Sequence, residues 1–246
     1  MIDLPRALSY PFSGRDALVN TVIGALMVLL TPVFFLTGFV LLGYQLRAIR
    51  GVMDDPHSEL PDWDRFGDDF IQGIMVFLGS LIYYLPSFIL AGLGAALMWD
   101  IVSGVSLVDL VLHRENLDLD RSKLSMMLLC FTLALIWLVL TAPLMMAAIA
   151  RYAETGQFSA FTHVLDRADE AWAQRGVAAR LMLSLFVLTI LAHAVSALLA
   201  VTCLIGLYIQ FVQFAAVCHL NGQWGAHLKA NRPAPSVIRP LKPRQP

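Results

Sequence analysis

The sequence predicts an all-α membrane protein with about five transmembrane helices, and the placement of its charges is what predicts it. Charged residues make up 14% of the 246 residues and hydrophobic ones 58%, against about 25% charged in a soluble globular domain. The shortfall is concentrated. No Asp, Glu, Lys, Arg or His occurs over residues 17–46, 70–99 or 124–150, and residues 181–226 hold only His193 and His219. An apolar run of about 18 residues or more reads as a membrane segment. The length allows one multi-span domain, residues 1–230, and a flexible basic, proline-rich tail over 231–246.

Taken in order, the first two runs, 17–46 and 70–99, would each be about 45 Å long as one helix, more than the roughly 30 Å core requires. Pro32 and Pro86 lie near their middles, and each is followed six residues later by a glycine, Gly38 and Gly92. Proline removes a backbone donor and kinks a helix. Two long, proline-kinked spans are expected, with two re-entrant hairpins as the rival. Residues 124–150 make a third span. The last run would reach about 69 Å as one helix, so it is expected to fold into spans near 181–200 and 204–224. No signal-peptide layout precedes the first span, which is expected to stay in the mature chain. With the N-terminus outside and the C-terminus cytoplasmic, 12 of the 17 Lys and Arg residues fall inside, as the positive-inside rule requires.

Between the spans, residues 59–70 are expected to form a short interfacial helix capped by Asp62. Its motif is Pro61, Trp63, Phe66 and Phe70, with the aromatic residues on one side at the headgroup level. Asp54, Asp55, Asp62, Asp64, Asp68 and Asp69 offer oxygen ligands for a divalent cation, but their spacing fits no loop template, and solvated acids are the simpler reading. Phe161, Val164, Leu165, Ala168 and Trp172 recur at helical spacing opposite Asp166, Arg167, Asp169 and Glu170. That pattern predicts an amphipathic helix lying on the inner surface, on a partner, or on the chain's own first loop. Residues 101–112 are too short a run to span and are expected to be interfacial or buried.

Several function classes are excluded or left without residues. A net charge of −1 gives no basic stripe for nucleic acid. Cys130, Cys203 and Cys218 lie in apolar runs without ligand spacing and read as buried hydrophobes. No phosphate-binding glycine loop, nucleophile elbow, zinc-protease pair or CxxC occurs, so no catalytic residue, metal ligand or cofactor is expected. His193 is the one titratable group well inside a span. It would either act as a proton relay or ligand, or sit neutral and hydrogen-bonded between helices. Gln210 and Gln213 share a face of the last span, lining a polar path or bonding across helices. Ala91, Gly92, Ala95 and Ala96, with Gly94, form a small-residue packing face, within the protomer or between protomers.

The chain also contains an ordered set of short motifs. They are Leu8-Ser9-Tyr10-Pro11-Phe12, Gly43-Tyr44-Gln45-Leu46-Arg47, Leu60-Pro61-Asp62-Trp63-Asp64, Asp69-Phe70-Ile71-Gln72-Gly73 and Tyr83-Tyr84-Leu85-Pro86. Ala150-Arg151-Tyr152-Ala153-Glu154-Thr155-Gly156-Gln157-Phe158 and Asn221-Gly222-Gln223 follow. This order resembles the prokaryotic integral-membrane family catalogued as domain of unknown function 4013, over roughly residues 5–225. The resemblance implies a multi-span prokaryotic membrane protein and carries over no catalytic or ligand-binding residue. The expected role is a non-catalytic protein of the cytoplasmic (inner) membrane, in contact with the lipid bilayer. It would be an oligomeric scaffold, as a homo-oligomer, or an accessory subunit beside other membrane proteins. A channel or small-solute transporter and a membrane-shaping protein with re-entrant hairpins are the alternatives.

Overall fold

The computed structural model describes residues 2–103, 121–198 and 203–232, and every element among them is helical. Residues 104–120 of the expected outer segment, residues 199–202 beside and within the turn expected around 200–206, and the basic tail from 233 lie outside the described residues. Helix α1 (Leu4–Ser9) is capped by the Asp3 carboxylate, which accepts from Arg6 N–H, and Pro5 fits its first turn. A 3₁₀ turn (Tyr10–Phe12) leads to α2 (Ala17–Leu30), α3 (Phe35–Asp54) and α4 (Phe66–Ser103). Then come α5 (Arg121–Thr155), the short α6 (Ser159–Thr162), α7 (Val164–Ala173), α8 (Arg175–Leu198) and α9 (Cys203–Ala230). Three of these, α4, α5 and α8, are long and apolar enough to cross a membrane, which suggests a membrane protein.

The first run is not the single kinked helix expected. It is an antiparallel pair, α2 and α3, turning through residues 31–34. At the turn, the Thr37 and Thr31 hydroxyl oxygens lie 3.2 Å apart. At the open end, Asn20 of α2 meets Asp62, beyond the end of α3, at 2.8 Å. Pro32 cannot donate to the preceding turn, and the backbone N–H groups of Val33 and Phe34 fold back onto the Leu30 carbonyl instead. Thr37 Oγ1 then bonds the Phe34 carbonyl as α3 begins.

The second run behaves differently. Helix α4 continues through Pro86 for 38 residues, about 57 Å. Pro86 leaves the Ile82 carbonyl without its helical donor, and beside it the Tyr83 carbonyl accepts from Trp137 Nε1 of α5 at 2.9 Å. Ser87 Oγ donates to the Ala134 carbonyl one turn on, at 2.6 Å. A neighbouring helix thus supplies polar partners around the proline, which is how such a residue is tolerated inside a long apolar helix.

Close approach of backbones sets the pairing of α3 with α4. A Cβ on Gly43 would lie 1.8 Å from the Asp69 carbonyl oxygen, and one on Gly73 1.7 Å from that of Phe39. The two helices therefore touch backbone to backbone, running antiparallel. Helices α4 and α5 are also antiparallel, tied by Tyr152 to Gln72 near one end and by Lys123 to Asp100 at the other. Helix α9 lies along α3 and forms a hairpin with α8, marked by the Gln213–Thr189 and Gln174–His227 hydrogen bonds.

The buried core gathers at one end of this assembly. Leu46, Ile49 and Val52 of α3, Ala147, Ala148 and Ala150 of α5, and Ala216, Leu220, Trp224 and Leu228 of α9 are enclosed there. Phe161, completely buried, fills the space over Gly79, whose absent side chain makes room for its ring. Toward the other end the helices expose large apolar side chains such as Leu85, Ile89, Leu135 and Phe186.

Both described chain ends sit at the packed end. Asp3 N–H donates to Gln223 Oε1 at 2.7 Å and Gln223 Nε2 returns to the Asp3 carbonyl at 3.1 Å. Because residues 17–46 turn back on themselves, the N-terminal segment packs beside the end of α9.

Candidate functional site

The packed end is where polar side chains converge, and Arg47 is its centre. One turn before it on α3, Tyr44 stacks on Trp63 with ring centroids 4.0 Å apart and planes 9° from parallel. Tyr44 Oη donates to the Pro61 carbonyl at 2.8 Å, and Trp63 Nε1 to the Asn20 carbonyl at 2.8 Å. The segment after α3 is thereby folded over the mouth of the α2–α3 hairpin. Arg47 then reaches three acceptors: Asp64 Oδ1 at 2.5 Å, Asp69 Oδ2 at 2.7 Å and the Asp62 carbonyl at 2.8 Å. Charge-assisted pairs of this kind, one partner buried, are the strong ones. Asp69 is 4% exposed, so Arg47 is what compensates its charge.

This corrects the expected interfacial motif. Asp62 caps no helix; its carboxylate accepts from Asn20 Nδ2, and α4 starts directly at Phe66. Trp63 is buried against Tyr44, Pro61 and Phe70 are half-buried, and only Phe66 is open, so the aromatic residues do not share one exposed side. Long-range stacking won over the local spacing of the aromatic residues. All of the six aspartates except Asp68 are likewise committed to protein donors. Asp62 takes Asn20, Asp64 and Asp69 take Arg47, Asp55 takes the His57 N–H and Asp54 takes Lys229. Among the described residues no group of three or more His, Cys, Asp or Glu could hold a metal ion.

Arg47's hydrogen bond holds the Asp64 carboxyl below the ordinary value of 3.8. A carboxyl whose folded value is depressed favours folding above its unfolded value and loses that contribution as pH falls through the folded one. The Asp64 carboxyl carbon is therefore expected to titrate below 3.8 by NMR, and to return to the ordinary range in Arg47→Met.

A second network closes the same end. Glu154 pairs with Arg151 at 3.0 Å and with Arg232, while Glu170 pairs with Arg167 at 2.9 Å and Arg232 at 3.2 Å. The predicted apolar face of Phe161 and α7 is divided: Phe161 is buried and Val164 packs on the core, while Leu165 and Trp172 are rotated outward. Arg167 and Ala171 are buried, whereas Leu165 and Trp172 are 80% and 71% exposed. Burial lowers the Arg167 pKa from its ordinary value. Arg167 occupies the inside because Glu170 accompanies it there, leaving the apolar edge outward with Arg175 over the Trp172 ring.

A family model described as "Protein of unknown function (DUF4013)" matches residues 25–204. The chain belongs to the DUF4013 family. No curated protein and no solved structure matches it. The DUF4013 match takes in the end of α2, helices α3 to α8 and the Arg47 network, and stops at the start of α9.

The predicted intramembrane group, of which only His193 lies within the DUF4013 match, is only partly brought together. His193 is exposed on α8, and its Nδ1–H donates to the Thr189 carbonyl at 2.8 Å. Gln213 Nε2 of α9 donates to Thr189 Oγ1 at 3.0 Å, so Thr189 links the two. Gln210 is half-buried one turn away. The small-residue face divides: Ala91 is half-buried, Gly92, Ala95 and Ala96 are exposed, and Gly94 packs on Phe131. Cys130 and Cys218 are buried and free.

Sequence reasoning counted Arg47 only as an orienting charge, and assigned His219 and Gln223 no role. His219 Nδ1 lies 2.9 Å from Gln223 Nε2 and its ring is 4.8 Å from that of Tyr10. The available signal was polar residues spaced by one helical turn (His219 and Gln223), which marks a shared face.

Proposed function

We propose that this DUF4013 protein is a non-catalytic integral protein of a prokaryotic inner membrane, acting as an oligomeric scaffold or as an accessory subunit of a membrane complex. The observation that carries this reading is the outward face of α4. Gly92 has no neighbour within 4 Å of an added Cβ, and Ala95 and Ala96 are open beside it. Small residues with nothing packed on them among the described residues suit the close approach of a second helix. In this reading α4, α5, α8 and α9 cross the bilayer and the α2–α3 hairpin enters and returns. Both termini are then cytoplasmic. Arg121 and Lys123 are the only described basic residues at the far end, the other eleven lying toward the packed end, which agrees with the positive-inside rule better than termini on opposite sides.

Gly92→Leu tests the assembly. The native chain is expected to run in detergent at the mass of two or more protomers, and the variant at the mass of one. An unchanged mass would remove this face from any assembly.

Membrane shaping is favoured by one separate feature, the hairpin tip. Val33, Phe34, Phe35 and Leu36 are 57–74% exposed, on a helix pair whose first arm is about 21 Å long, short of a full crossing. Reshaped vesicles on reconstitution would support that role, and solute flux would instead support a channel.

A further inference from the structure

A cavity of about 320 Å³ opens beside Arg47, between the end of α3 and the first turns of α4. Arg47, Arg50 and Arg65 line it with two aspartates, Asp68 and Asp69, a sum of one positive charge. Arg47 is already engaged by Asp64 and Asp69. Arg50 is engaged only through its Nε, which donates to the Ala153 carbonyl at 2.8 Å. Arg65 is mostly exposed, and its nearest carboxylate, Asp64, is 3.7 Å away. Gln72 accepts Tyr152 Oη on its Oε1 at 3.1 Å, leaving its amide N–H groups to donate. Two guanidinium groups and an amide thus remain for an anion, against one unpaired carboxylate, Asp68. Asp64 is 58% exposed at its side chain, so water and salt screen it.

The cavity also has an apolar exit. Ile71 lines it and is exposed, and Met75, Leu78 and Ile82 continue the exposed stripe along α4 at spacings of four, three and four residues. Donors for a singly charged phosphodiester thus stand at the head of an apolar track. We infer that the cavity binds the phosphate of an anionic glycerophospholipid, an acyl chain lying along Ile71, Met75, Leu78 and Ile82. A basic pocket at the mouth of membrane helices suits such a headgroup, and Arg forks suit phosphate oxygens. The inference rests on α4 crossing the bilayer, and not on the assembly at Gly92.

Native mass spectrometry of the full chain, in mild detergent with added phosphatidylglycerol or phosphatidylcholine, tests it. One phosphatidylglycerol per protomer should be retained in preference to phosphatidylcholine. Arg65→Gln and Arg50→Gln should each weaken retention about fivefold, the worth of one arginine near a lipid surface, and Asp68→Asn should strengthen it. Arg50 also caps the end of α5, so the exposed Arg65 and Asp68 provide the variants least able to disturb folding. Equal retention of the two lipids would overturn the inference, as would folded Arg65→Gln and Asp68→Asn proteins that retain lipid as the native chain does. Displacement by millimolar inorganic phosphate as readily as by the lipid would assign the cavity to a soluble anion instead. Retention is also read on Gly92→Leu, so that loss of assembly and loss of lipid are scored separately.

Discussion

Gly43→Ala and Gly73→Ala are each expected to destabilise the chain by about 3 kcal/mol or more, at or above the top of the usual overpacking range. The added methyl group would sit 1.8 Å from the Asp69 carbonyl oxygen in one case and 1.7 Å from that of Phe39 in the other. Both obstacles are backbone, so no rotamer change relieves them; α3 and α4 must separate by more than an ångström. That separation would also pull Arg47 from Asp69, because Gly43 and Arg47 are one turn apart on α3 and Asp69 is the residue Gly43 touches. Since both substitutions wedge open one crossing, the double variant should cost clearly less than the sum. Gly206→Ala is the control, because a Cβ there meets nothing within 4 Å; it should be neutral or gain up to about 1 kcal/mol of helix propensity. Thermal unfolding of the four proteins in one detergent checks this. If Gly43→Ala melts with Gly206→Ala, the helices do not cross this closely.

Arg47→Met is expected to cost about 3–5 kcal/mol, the usual effect of removing one partner of a buried ion pair. The Asp69 side chain, 5% exposed, would keep its carboxylate without a compensating charge. Asp64, more than half exposed, would simply be hydrated and contributes little to that loss. The two effects separate in a cycle. Adding Asp69→Asn to Arg47→Met should recover much of the stability, whereas adding Asp64→Asn should recover almost none. Equal recovery from both would mean that Asp69 is as hydrated as Asp64 and that the pair is not a buried one.

Much of the helix inventory was legible because it depends on where charges are missing, and a membrane imposes that condition on every residue of a run. Runs 70–99 and 124–150 are covered by α4 and α5, and the last run divides near its predicted turn. What a run does at its proline was not legible. Pro32 and Pro86 have the same glycine spacing, yet one ends a helix and the other does not. Around Pro86 a neighbouring helix supplies polar partners, Trp137 to the Tyr83 carbonyl and the Ala134 carbonyl to Ser87; around Pro32 the contacts are local to residues 30–37. The same limit explains Trp63 and α7. Periodicity assigns a face to each residue, but not which neighbour competes for it, and Tyr44 and Glu170 decided those two cases. The candidate site was visible only as scattered arginines and aspartates, since the hairpin that brings them together is a tertiary fact.

The order in which the chain is made has a bearing on how this structure can form. Asp3 and Gln223 are hydrogen-bonded across 220 positions of sequence, and Phe211 of α9 fills the space over Gly24 on α2. Helices α1 and α2 are therefore held by α9, which is synthesised after them. Until α9 has been synthesised, α1 and the α2–α3 hairpin lack the wall against which they close. They must wait beside α4, which packs on α3 through the glycine crossing and the rings of Phe35, Phe39 and Phe77. Closure of so long a loop is slow relative to the local hairpins, so α9 acts as a late clasp, and a chain cut short before α9 would leave α1 and the α2–α3 hairpin unfastened.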